Sequence, residues 1–230
     1  MTKPFNKALP AGVQREKEAV QYLKDLGLIE QAVHASNAQN KTGWDVELLV
    51  KGSKYKVDIK TYDQTRQQIA NAGGVGYFDR YGEQVVSLEL AHGRRSCCFA
   101  KQTADLILFN TAIFNERCDK NALQNKAWYE KKYGKKPVTI FTVERPFLTW
   151  LCAKEAYKAQ MFDWAMHTRE NKKTEGESQG LVLYATPTIL KDLEAHWAAA
   201  GRPSTQYTKS SLKDVINGRQ TSPVASLLRA

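Results

Sequence analysis

The sequence predicts an α/β fold, in which a central mixed β-sheet is flanked by helices and followed by a C-terminal α/β extension. Two observations carry that expectation. An amphipathic helical stripe near the N-terminus is followed by short, alternating, β-branched segments separated by turn residues. A further strand and helix then lie beyond a polar stretch at 171–180.

In chain order, residues 12–26 put Val13, Ala19, Val20, Leu23 and Leu26 on one stripe, and Gly27 is a natural C-terminal stop. Leu28–Ser36 reads as a strand. Trp44–Val50 and Tyr55–Thr61 read as two more, joined by a turn at Gly52-Ser53. Residues 62–82 are polar and contain glycine, and no period emerges there. Gln84–Leu90 and Ser96–Ala100 read as a hairpin across His92-Gly93, and Ala104–Asn110 and Pro137–Val143 as buried strands. A long helix is expected from Pro146 to Arg169, with proline near its start. Beyond the polar stretch come a strand at Leu181–Ala185, a helix over Thr188–Ala200 and a polar tail. The domain expectation is a core of 1–170, a linker of 171–180 and an extension of 181–230.

Composition narrows the partner class. Hydrophobic residues at 42% and charged residues at 25% suit a globular core. No apolar run is long enough to cross a bilayer, and Met1–Pro10 lacks the apolar segment of a secretion signal. A cytoplasmic, non-secreted protein with no membrane partner is therefore expected. The four cysteines (97, 98, 118 and 152) have no CxxC spacing, so free thiols are expected in place of a zinc site. Histidines 34, 92, 167 and 196 share no ligand spacing. With 34 Lys and Arg against 24 Asp and Glu, the net charge is +10, which attracts polyanions. DNA is the expected partner, and a homodimer is left open.

The chemistry concentrates between residues 43 and 60. Gly43-Trp44-Asp45 is followed, thirteen residues after the aspartate, by Asp58-Ile59-Lys60. Strand alternation puts Asp58 and Lys60 on one face and Val57 and Ile59 on the other. Val46, Leu48 and Val50 would share the apolar side, leaving Asp45 with the polar one. Two carboxylates and an ammonium then meet on a sheet. Mg²⁺ favours one or two carboxylates plus water, polarises a phosphate and lowers the pKa of a bound water, while a lysine orients the nucleophile or stabilises developing charge. On the first helix, Glu16 lies on the face of Val13, Val20 and Leu23, where a carboxylate needs a partner, which makes it a third candidate ligand. Glu47 shares Asp45's face and reads equally as surface charge.

Gly12-x-x-x-Glu16 on a helix, Asp45 entering a strand and Asp58-x-Lys60 on the next strand together resemble the PD-(D/E)XK nuclease superfamily. Order and spacing are most like archaeal-type Holliday junction resolvases and related phage or restriction nucleases. The resemblance covers roughly residues 12–61 and extends loosely through 104–110. It implies a restriction-endonuclease-like core, Mg²⁺ dependence with Mn²⁺ as a substitute, and Asp45, Asp58 and Lys60 as catalytic residues. Two positions depart from the pattern. Trp44 stands where proline usually precedes the first acid, and the second acid is aspartate where many relatives have glutamate. Gln64 resembles a glutamine that follows the motif in some relatives.

Segment 117–136 adds Arg117, Lys120, Lys126, Lys131, Lys132, Lys135 and Lys136, interleaved with Trp128, Tyr129 and Tyr133. Lysines hold phosphates and aromatics stack on bases. An amphipathic helix with those aromatics in the core explains the pattern equally well. Lys131, Lys132, Lys135 and Lys136 are candidate nucleic-acid contacts, as are Arg94 and Arg95 beside the expected hairpin. Gly73-Gly74-Val75-Gly76 lacks the Lys-Ser/Thr of a phosphate loop and reads as a flexible loop. Two functions follow as expectations: a Mg²⁺-dependent DNA endonuclease, or a non-catalytic nucleic-acid-binding protein on a decayed nuclease fold. The paired carboxylates favour the first, because negative charge facing DNA repels it unless a cation intervenes.

Overall fold

The computed structural model describes residues 3–62, 86–92, 98–157, 166–171 and 180–204. The chain falls into two compact units, 1–84 with 103–142, and 85–102 with 143–230. The expected core of 1–170 therefore spans one unit and part of the other.

The first unit carries a mixed five-stranded sheet with flanking helices, an α/β arrangement. Helix α1 (Lys3–Asp25) precedes β1 (Gln31–His34), the short α2 (Asn37–Asn40), β2 (Val46–Val50) and β3 (Ser53–Tyr62). Strand β5 (Leu106–Thr111), helix α3 (Ala122–Tyr133) and β6 (Ile140–Glu144) follow, and the sheet order is β1-β2-β3-β5-β6. Strand β6 crosses the boundary between the two units.

α1 ends as its sequence directs. Gly27 adopts φ +66°, and the Leu28 N–H reaches back to the Leu23 carbonyl, closing the helix on a left-handed residue. Ala19, Val20 and Leu23 bury themselves against Val46, Leu48, Val57, Ile59 and Leu108 of the sheet. Each buried aliphatic side chain of this kind contributes on the order of 1.5–3 kcal/mol, which fixes α1 over the sheet. Val13 and Leu26, at the ends of the expected stripe, are exposed.

The β2–β3 hairpin turns at Lys51-Gly52, one residue earlier than expected, with φ +49° and +74°. Two successive left-handed residues match the twist of a two-residue hairpin. β3 is antiparallel to β2 from Ser53 to Val57, then parallel to β5 from Val57 to Tyr62. Its last five residues thus extend past the register pairs with β2.

The second unit holds an antiparallel sheet, β4 (Val86–His92), β8 (Gly180–Ala185) and β7 (Met166–Asn171), in the order β4-β8-β7. Helices α4 (Arg145–Tyr157) and α5 (Pro187–Ala199) belong to it, with the Phe147 and Trp197 rings 5.8 Å apart. Two expectations are corrected here. Among the described residues of the expected 84–100 hairpin, β4 pairs with β8 and Cys98–Lys101 is a 3₁₀ turn instead of a second strand. The expected helix does not run on to Arg169: it is described over Arg145–Tyr157, and Met166–Asn171 is a strand because pairing with β8 outweighs its local helical propensity. The stretch 172–179, most of the expected linker, lies outside the described residues. Among the described residues, Cys118 and Cys152 are free thiols, and no helix is long and apolar enough to cross a membrane.

Candidate active site

The four predicted catalytic residues, Glu16, Asp45, Asp58 and Lys60, lie in the first unit and are brought together where β3 outruns β2. The Asp45 N–H donates to the Val57 carbonyl at 2.8 Å although Val57 is already in register with Val46. Two residues of one strand thus oppose one of the other, a bulge-like irregularity that re-aims a side chain. The Asp45 carboxylate then accepts the Ile59 N–H at 2.7 Å. A backbone donor that β2 would otherwise have engaged instead orients an acid.

Asp58 points from the next position of β3 and is nearly buried, its side chain 7% exposed. The Lys60 ammonium lies 3.1 Å from Oδ1 and 2.8 Å from Oδ2 of Asp58. Alternation along β3 accounts for the pair, as positions 58 and 60 share a face. The Asp45 carboxyl, held on the Ile59 N–H between positions 58 and 60, neighbours Asp58 closely enough for that carboxylate to help raise its pKa.

Burial and the neighbouring carboxylates raise two of these acids. Desolvation pushes Glu16 up to about 7, with Asp45 and Asp58 raising it further and Lys60 opposing. Asp45 is raised to about 6, mainly by desolvation and then by Asp58, against the Ile59 hydrogen bond and Lys60. A divalent cation between Asp45 and Asp58 would relieve their repulsion, and such a pair of carboxylates is a donor set that fits Mg²⁺. Among the described residues no three His, Cys, Asp or Glu side chains converge as a metal cluster.

Both acids bind protons more tightly in the folded chain than in the unfolded one. Without metal, stability falls as pH rises from about 4 through 7. Glu16→Gln should remove part of that slope and stabilise the metal-free protein at pH 8 by about 1–2 kcal/mol, after allowance for solvent screening. Thermal melts from pH 4.5 to 8 in EDTA check this. A profile identical to wild type would remove Glu16 from the charge cluster.

A cleft of about 390 Å³ adjoins the pair, lined by Gly12 and Glu16 of α1 and by Ile59, Lys60, Thr61 and Tyr62 of β3. The sequence reading missed Thr61 and Tyr62. Alternation places Tyr62 on the face of Asp58 and Lys60, and that was the available signal. Glu47 is a surface residue, paired with Lys54 at 3.0 Å.

The basic segment divides. Tyr129 is core, its ring 5.3 Å from Phe114, while Trp128 and Tyr133 are half-buried against the same cluster. Lys131, Lys132, Lys135 and Lys136 are exposed at and beyond the end of α3, with Lys132 Nζ 5.1 Å from the Tyr133 ring. Arg94, Arg95, Gln64 and the Gly73–Gly76 loop lie outside the described residues. Comparison of the chain with protein-family models, with curated proteins and with solved structures found no match.

Proposed function

We propose that this chain is a Mg²⁺-dependent DNA endonuclease with a restriction-endonuclease-like core of the PD-(D/E)XK type. The observation that carries this reading is the Lys60–Asp58 ion pair with Asp45 held beside it on the Ile59 N–H, next to a cleft that Lys60 and Glu16 line. A binding surface for a polyanion gains nothing from two adjoining acids, whereas phosphodiester hydrolysis needs them to hold a cation.

When bound, Mg²⁺ supplies Lewis-acid polarisation of the phosphate and neutralises charge in the transition state. Asp45 and Asp58 would hold it, and the Ile59 N–H keeps Asp45 aimed. Lys60 offers a hydrogen-bond donor beside the aspartates that can orient the attacking water or meet charge developing on phosphate oxygen. Glu16, on the cleft wall and raised to about 7, can hold or accept a proton near neutral pH.

Incubation with labelled duplex, junction, flap and single-stranded DNA and with RNA, with Mg²⁺ or EDTA, tests the reading. Metal-dependent cleavage of DNA supports it. Binding without cleavage would select the non-catalytic alternative.

Lys131, Lys132, Lys135 and Lys136 are assigned to phosphate contact on their exposure and the net charge of +10. The quadruple alanine variant should bind unrelated DNA sequences more weakly, and the slope of log affinity against log salt should fall by about 0.9 per lost contact. An unchanged slope would make these lysines a solvated face.

A further inference from the structure

The cleft of about 390 Å³ has walls unequal in kind. Tyr62 forms one wall, and its ring stacks on Phe109 at 6.1 Å and 24° between planes. Phe109 is fully buried and stacks in turn on Phe141 at 4.9 Å and 18°. Register explains the arrangement, since Lys60 pairs with Phe109 and Tyr62 with Thr111, so the tyrosine leans on a phenylalanine anchored one step away. A ring backed by two others is a rigid platform.

Gly12 lies on the α1 side of the cleft. A Cβ built there would meet nothing within 4 Å, so no close packing demands glycine. Glycine within a helix costs about 1 kcal/mol relative to alanine, and here its effect is to leave the cleft wall free of a side chain. Thr61 Oγ1, on the same cleft, is buried and has no hydrogen-bond partner.

Resting on the nuclease reading, we propose that this cleft holds one unstacked nucleotide next to the scissile phosphate, its base stacked on Tyr62 and its sugar edge passing Gly12. A base inside a duplex is stacked on both sides and cannot lie on a protein ring. The site therefore favours DNA with unpaired or easily unpaired nucleotides at the cut over continuous duplex.

The test measures binding, with Ca²⁺ in place of Mg²⁺. The probe is a short single-stranded oligodeoxynucleotide carrying 2-aminopurine at successive positions, compared with one carrying an abasic residue there. In wild type, one position should be quenched by stacking, and removing that base should weaken binding about 5–100-fold. Tyr62→Phe should preserve both effects. Tyr62→Ala should lose the quench and bind base-containing and abasic probes alike.

Gly12→Leu is an independent variant on a good helix former, and it should weaken binding of the base-containing probe while leaving the melting temperature unchanged or higher. Quenching that persists in Tyr62→Ala, or undiminished binding by a folded Gly12→Leu protein, would overturn the proposal. Cleavage does not enter the readout. Absence of Mg²⁺-dependent hydrolysis would sink the nuclease reading alone, and base-dependent binding would still decide this one.

Discussion

Asp58→Asn is expected to lower single-turnover DNA cleavage by on the order of 10³-fold or more while leaving DNA affinity unchanged or slightly tighter. Its side chain is 7% exposed and pairs with Lys60, so it has no bulk-solvent role to lose. The asparagine is nearly isosteric and keeps one oxygen, which isolates the loss of charge. Asp45→Asn should behave alike and should also stabilise the metal-free protein at pH 8, because it removes a carboxylate that the folded chain holds protonated up to about 6. Quenched-flow cleavage with saturating enzyme, alongside binding in Ca²⁺, separates the two effects. Full Mg²⁺-dependent activity in either variant would dismantle the site.

Lys60→Met is expected to have two effects of different kinds. Cleavage should slow by about 10²–10³-fold, the scale for one positioned donor, with Mg²⁺ affinity retained because an ammonium offers no lone pair to a metal. Stability of the metal-free protein should drop by about 3 kcal/mol, as Asp58 becomes a buried charge without its cation. That figure is the lower end of the range for a broken buried pair, since the ammonium itself reaches solvent. Mg²⁺ should restore most of this stability, and so should the second substitution Asp58→Asn. Denaturant unfolding with and without Mg²⁺, together with calorimetry, measures both. If Mg²⁺ affinity disappears along with activity, Lys60 is a structural residue.

Much of the site could be read in the sequence because it depends on strand alternation. Asp58 and Lys60 share a face for the same reason that Val57 and Ile59 pack under α1, and the Asp-x-Lys spacing carries that information directly. Gly27 as the end of α1 was equally readable, because a left-handed C-terminal residue favours glycine. The cleft was not. It exists because β3 continues beside β5 after its register with β2 has ended, a matter of strand lengths and a bulge at Asp45 that composition does not encode. Pairing between distant segments was hidden for a similar reason. β4 and β7 both join β8, and neither 86–92 nor 166–171 carries a local mark of its partner. In segment 117–136 the pattern supported surface and core equally, and the fold divided the aromatics, with Tyr129 inside and the lysines at 131–136 outside.

The most direct test of the central claim is single-turnover cleavage of a DNA substrate across a Mg²⁺ titration, comparing wild type with the Asp45→Asn/Asp58→Asn double variant. The expected result is a wild-type rate that rises with Mg²⁺ to saturation and vanishes in EDTA. The double variant should be inactive at every concentration, yet folded and bound to DNA. Cleavage in EDTA, or a double variant that cuts with the wild-type Mg²⁺ dependence, would contradict the assignment of this carboxylate pair as the catalytic metal site.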